Sequence, residues 1–228
     1  MKYENTAEGI FIKRENRFVA TCLVDGREER VHVKNTGRME ELFVEGAPVV
    51  LSKSSSPARK TLYDLVTVER NGRLFNVDSQ MPNSLFREGF ETGLIHLDGY
   101  DENAVLTAEK TFGSSRFDFM IEEEKTGFIE VKGVNLKSGD AALFPDAVTK
   151  RGLKHVNELT EAKKEGLDAF LVFIVQFEDA LCFRINPGHE YLEDAVRNAA
   201  AAGVDVRAYS CSVSADSITV AREIKTVL

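Results

Sequence analysis

RFDFMIEEEKTGFIEVK, residues 116–132, decides how this chain is read. Two alternating runs, RFDFMI and FIEVK, flank six residues from Glu122 to Gly127. A short spacer between alternating runs predicts an antiparallel β-hairpin. Side chains alternate along a strand, so Glu130 and Lys132 fall on one face. Asp118 shares that face if it lies opposite Glu130 or two residues to either side. Phe117, Phe119, Ile121, Ile129 and Val131 are then expected on the other face. Two carboxylates and an ammonium on an otherwise apolar hairpin need a chemical reason.

One reason is a metal. Carboxylates from two neighbouring strands can hold Mg²⁺ or Mn²⁺, hard ions satisfied by few protein oxygens plus water. Lys132 beside such an ion would orient the attacking water or stabilise charge on a transferring phosphate. A general-base role suits it less, because the adjacent carboxylates favour its charged form. The plainer alternative is a salt-bridged strand pair at a sheet end, since Glu-x-Lys is common on exposed strands.

The trio has the form Asp, spacer, Glu-x-Lys of the PD-(D/E)XK nuclease superfamily, which this segment resembles. Longer runs extend the likeness: GSSRFDF, FIEVKGVNL, LFPDAVTKRGLKHVNEL, FIVQF at 173–177 and AAAAGVDVRAYSCSV at 199–213. Together with KNTGRMEEL at 34–42 and VDSQMPNSL at 77–85 they resemble the sugar fermentation stimulation protein A family. The resemblance covers nearly the whole chain. It implies a two-domain α+β/α/β protein: an N-terminal OB-like β-barrel over 1–80, then a PD-(D/E)XK-type mixed sheet flanked by helices over 81–228. DNA binding is the function it implies. It also makes Glu109 the acidic residue of the element before the motif, a partner for a metal-bound water or an outer ligand. Arg38 becomes a nucleic-acid contact on the same ground. A surface glutamate beside Lys110 and a structural turn are the competing readings.

Composition bounds the rest. A chain of 228 residues, 43% hydrophobic and 29% charged, is ordinary for a globular protein with one large or two small cores. No apolar run approaches a membrane span, and the first residues hold no signal-like apolar segment, so a cytoplasmic protein is expected. Cys22, Cys182 and Cys211 sit singly in strand-like patterns, which reads as reduced core thiols rather than disulfides or a zinc site. Net charge is −8. Residues 1–80 hold 13 Lys+Arg against 12 Asp+Glu, and residues 81–228 hold 16 against 25. Nucleic-acid contact must therefore come from local basic clusters, with weak, salt-sensitive affinity.

Strand-like runs follow one another from Gly9 to Asp78, with turn signals at Asp25-Gly26, Gly46 to Pro48 and Asn71-Gly72. Five strands with a short helical insert near 39–43 fit an OB-type barrel, and a small β-sandwich fits nearly as well. A serine-rich stretch occupies 52–60. MPNSLFREGF reads as a helix opened by Pro82 and Asn83. A second helix is expected from about Asp146 to Lys164, with Val148, Leu153, Val156 and Leu159 on one face and Gly166 closing it. DAFLVFIVQF reads as a strand buried on both faces, with ALCFRIN as its partner. HEYLEDAVRNAAAAG forms another helix, ending at Gly203, and VDVRAYSCSV returns as a strand. The β-β-α-β-β-α-β order predicts a mixed sheet with flanking helices.

Further side chains carry charge or polarity of interest. Arg151, Lys154, His155 and Glu158 form a helical stripe, facing either the site or solvent. Gln176 is the lone polar group in FIVQF, and a buried amide needs partners. Ser114 and Ser115 read as turn formers, with Arg116 a phosphate or carboxylate partner. In the N-terminal half Lys13, Arg14 and Arg17 flank one strand, and Lys53, Arg59 and Lys60 flank the serine-rich loop. Phe11 and Phe18 are candidate stacking rings, or simply core. Three functions remain: a metal-dependent nuclease, a non-catalytic DNA-binding regulator on the same scaffold, and a hydrolase of small phosphodiesters. Self-association is left open. No helix-turn-helix or zinc motif supports a dedicated transcription factor.

Overall fold

A computed structural model of the chain describes residues 1–54, 59–147 and 149–228. Strands β1 (Thr6–Asn16), β2 (Val19–Val24), β3 (Arg27–Val33), β4 (Pro48–Lys53) and β5 (Tyr63–Arg70) close a barrel. β1 pairs antiparallel with β2 and β4, β2 with β3, and β4 with β5; a parallel β3–β5 pairing completes the ring. β6 (Arg73–Asn76) adds to β5 and leads out of the barrel. The Asp25-Gly26 and Asn71-Gly72 turns take positive φ at both residues, the geometry that two-residue hairpins favour. IFIKRENRFVATCLV, residues 10–24, reads as one strand-like run, but the chain turns at Arg17 and Phe18 and the run becomes two strands. The expected insert at 39–43 is a single turn, closed by Leu42 and Phe43 N–H donating to the Met39 carbonyl.

Phe11 is core, 2% exposed and stacked on Phe43, whereas Phe18 lies 52% exposed. Residues 55–58 of the serine-rich stretch, and Val148 of the expected helix face, lie outside the described residues.

Helix α1 (Met81–Glu91) follows, with Gln80 at its N-cap and Pro82 in the first turn. Then come β7 (Val105–Phe112), β8 (Ser115–Glu122), β9 (Thr126–Val134), β10 (Leu136–Ser138), β11 (Ala141–Phe144) and α2 (Lys150–Lys164). β12 (Asp168–Val175), β13 (Cys182–Ile185), α3 (Glu190–Ala201), β14 (Asp205–Val213) and β15 (Ile218–Val227) complete the chain. Their order in one sheet is β10-β11-β13-β15-β14-β12-β9-β8-β7. Thr149 caps α2 by accepting from the Gly152 N–H, and Gly166 ends it with φ +90°.

β12 lies between β9 and β14, parallel to both, and this corrects the expected pairing with ALCFRIN. That segment, β13, pairs instead with β11 and β15. A strand feeding a helix must cross over to its parallel neighbour, and here the neighbours come from distant sequence. Continuous hydrophobicity in β12 has its expected cause. Phe170, Val172 and Ile174 pack toward α1, while Leu171, Phe173 and Val175 pack toward α2, α3 and the barrel.

The core on the α2 and α3 side of the sheet continues into the barrel without a break. Phe75 meets Phe177 at 5.0 Å between ring centroids. Fully buried Asn76 accepts from Gln176 Nε2, and its carbonyl accepts from Asn135 Nδ2. Among the described residues no helix is long and apolar enough to cross a membrane.

Candidate metal centre

The hairpin forms where the alternation places it, with Phe119 opposite Ile129 and Ile121 opposite Gly127. Continued by one residue, this register sets Asp118 beside Glu130. The ladder stops there because the Asp118 side chain replaces it: Oδ2 accepts from the Val131 N–H at 2.8 Å. Oδ1 accepts from Asn83 Nδ2, also at 2.8 Å, in the first turn of α1. Side-chain alternation breaks at this point. Phe119 packs on Phe86 beneath α1, whereas Phe117 packs on Phe128 and the His155 ring. Phe117 therefore does not share the face of Phe119, contrary to the strict two-residue period. Glu109, at φ +55°, interrupts the β7–β8 pairing opposite the same residue.

Glu130 is 1% exposed. Its Oε1 accepts from Lys132 Nζ and meets His155 Nδ1 at 2.5 Å. Its Oε2 is buried without a hydrogen-bond partner. Arg151 Nε donates to His155 Nε2 at 3.4 Å, which fits a neutral imidazole carrying its proton on Nδ1. Burial pushes the Glu130 carboxyl up, but His155 and Lys132 outweigh it and hold the group below the usual carboxylate range. Asp118 goes the other way. Burial and the neighbouring Glu130 charge raise it, against the pull of the Val131 N–H, Asn83 and Lys132.

This donor set fits a divalent cation. A buried carboxylate oxygen with no partner and a second carboxylate raised by its neighbour would both be relieved by a positive ion between them. Among the described residues no three His, Cys, Asp or Glu side chains form a closed cage. Asp118 and Glu130 alone suit an ion that keeps water in its shell, not structural zinc.

Asp118 opens onto a hollow of about 510 Å³ together with Asn83, Arg87, Glu88 and Glu109. Glu130 and Lys132 do not line it. Solvent thus reaches Asp118 through this hollow. Glu109 lines the same hollow as Asp118 but is exposed and pairs with Arg116 at 3.5 Å.

The helical stripe divides its work. His155 turns into the site with Arg151 beside it. Lys154 donates to the Ser114 carbonyl, and Glu158 accepts from the Ser114 hydroxyl, so both tie α2 to the β7–β8 turn.

Arg14 is committed to the protein's own backbone. Its guanidinium donates to the backbone carbonyls of Asn16, Arg17, Asn35, Gly37 and Arg38, and lies 5.0 Å over the Phe43 ring. Arg59 is held by Asp64, at 3.0 and 2.5 Å. Lys13, Lys53 and Lys60 are exposed on the barrel. Arg17 and Arg38 share a hollow of about 820 Å³ with Arg14, Asp146 and His189. Asn83 and His189 went unrecognised in the sequence: Asn83 reads there only as a helix opener, and His189 precedes a helix without a motif.

The family described as "Sugar fermentation stimulation protein RE domain" matches residues 80–217, and "SfsA N-terminal OB domain" matches residues 12–77. The chain belongs to the sugar fermentation stimulation protein family. Among its curated relatives is a sugar fermentation stimulation protein homolog of Desulfitobacterium hafniense, 45% identical over 96% of this chain and 94% of that protein. Another, from Clostridium tetani, is 42% identical over 99% and 98%. Among solved structures, Pyrococcus furiosus SfsA in complex with Ca²⁺ superposes with a TM-score of 0.89 at 28% identity. That match covers 100% of this chain and 98% of the other.

Proposed function

We propose that this family member is a divalent-metal-dependent phosphodiesterase acting on nucleic acid, with DNA as the substrate and Mg²⁺ or Mn²⁺ as the ion. One observation carries the reading: the Glu130 Oε2 atom, buried without a partner beside a second carboxylate. The Ca²⁺ complex of the similar P. furiosus protein supports it.

Asp118 and Glu130 would hold the ion, which supplies Lewis acidity and an activated water when bound. Asn83 and the Val131 N–H fix the Asp118 carboxylate, so it needs no reordering. Lys132, part-buried and anchored on Glu130 Oε1, would orient water and stabilise negative charge on the phosphate. His155 holds Glu130 through Oε1, which leaves Oε2 as the unpartnered oxygen. Arg17, Arg38, Arg116, Arg151, Lys13, Lys53, Lys60 and Lys154 are exposed and would contact a nucleic-acid backbone.

Cleavage of single- and double-stranded DNA, with and without Mn²⁺ or Mg²⁺, tests the proposal against Lys132→Met. Metal-dependent products from the wild type, reduced at least about 100-fold in the variant, are expected. Oligonucleotide binding with no cleavage under any metal would leave the second reading, a binding module. The basic rim of the 820 Å³ hollow, away from the carboxylates, favours that alternative.

A further inference from the structure

One residue beyond Lys132 the β9 strand reaches Gly133, which borders a second cleft. This cleft, about 310 Å³, lies between the barrel loop at 35–37 and the segment joining β11 to α2. Thr36 stands at its wall with Leu143, Phe144, Asn135 and Gln176.

Gln176 is the informative member. It is fully buried, and its amide nitrogen donates to Asn76 Oδ1 at 2.7 Å and the Asp78 carbonyl at 2.9 Å. Those two bonds settle which way the amide points and leave Oε1 against Gly133, which lines the cleft with it. Oε1 has no hydrogen-bond partner. Gly133 is not in the left-handed region, so backbone conformation does not require glycine there. Space does: a Cβ would stand 2.7 Å from Gln176 Oε1 and 2.7 Å from Pro82 Cγ. Phe144, half-buried against Phe173, supplies an aromatic wall.

We infer that this cleft receives one unpaired nucleobase of the substrate, with an N–H of its Watson–Crick edge donating to Gln176 Oε1. The volume is at the small end for ligand pockets, enough for one nucleoside and far too small for a duplex. An aromatic wall with a single buried acceptor is how an extruded or single-stranded base is held. Every base carries an N–H on that edge, so the cleft selects unpaired nucleic acid without selecting sequence. The inference rests on the phosphodiesterase reading, because an unpaired base is a ligand only for a protein that acts on nucleic acid.

The test is calorimetry in EDTA with deoxyadenosine 5′-monophosphate, thymidine 5′-monophosphate and 2-deoxyribose 5-phosphate, on wild type and Thr36→Trp. Thr36 is an exposed loop residue that lines the cleft, so an indole there would narrow it. Both nucleotides should bind the wild type at least about tenfold more tightly than the sugar phosphate, and Thr36→Trp should bring all three within about twofold. Equal binding of nucleotides and sugar phosphate by the wild type would overturn the inference, leaving water as the partner of Gln176. A nucleotide preference that survives Thr36→Trp would overturn it too. Metal-dependent hydrolysis of bis(p-nitrophenyl) phosphate, which has no base, reports on the metal centre separately. Failure there refutes the phosphodiesterase and not the cleft.

Discussion

Replacing Arg14 by alanine should unfold the barrel's outer loop rather than weaken a nucleic-acid contact. Its five N–H groups are spread over five backbone carbonyls. The bonds to the Asn35 and Gly37 carbonyls, both 2.6 Å and part-buried, carry the cost. Bonds from a charged donor contribute about 1.5–3 kcal/mol each, and the three exposed ones are replaced by water at little loss. The Phe43 contact adds about 0.5–1 kcal/mol. Water reaching the freed carbonyls returns part of this, so a net loss of about 3 kcal/mol is expected. With a urea slope of about 2–3 kcal/mol per molar, the unfolding midpoint should fall by about 1–1.5 M. Arg14→Lys should recover less than half, because an ammonium has three donors and no planar fork. Equilibrium urea unfolding, with oligonucleotide affinity measured on the same samples, decides the matter. A midpoint shift under about 0.3 M with a tenfold loss of affinity would refute the reasoning and make Arg14 a phosphate ligand.

Asp118→Asn should stabilise the metal-free protein at pH 7 by up to about 1 kcal/mol, seen as a higher melting temperature in EDTA. The folded-state pKa of Asp118 is raised, so its ionisation above the unfolded value works against folding, and asparagine removes that cost. Glu130 is the reverse case. Its depressed folded-state pKa adds stability that is present above the unfolded value and lost as pH falls through the folded one, so Glu130→Gln should flatten the acid limb of the pH–stability curve. Gly133→Ala should cost about 2 kcal/mol in urea unfolding, since its Cβ meets Pro82 and Gln176 at 2.7 Å each.

Much of the fold can be read from local pattern. The hairpin, the barrel's Asp-Gly and Asn-Gly turns, and the helices ending at Gly166 and Gly203 depend on contacts within a few residues. The strand neighbours of β12 do not. They are set by crossovers that bring 127–134 and 205–210 to either side of it, and apolar content alone cannot name them. β10, β11 and β15 escaped for a related reason: two are very short, and β15 alternates too weakly to stand apart from exposed sequence.

The same division holds at the site. Asp118 and Glu130 are adjacent because a two-residue period and one turn put them there. That His155 leaves its solvated stripe to bind Glu130 depends on how α2 crosses β9, and that Arg14 is consumed by carbonyls depends on a loop more than 20 residues away. Helical spacing and positive charge cannot show either.

Titration calorimetry with Mn²⁺ on the wild type, Asp118→Asn and Glu130→Gln addresses the metal centre most directly. One ion per chain for the wild type, with affinity at least about tenfold weaker in each folded variant, is predicted. No heat of binding in the wild type, or binding that both variants retain unchanged, would contradict a metal held by these two carboxylates.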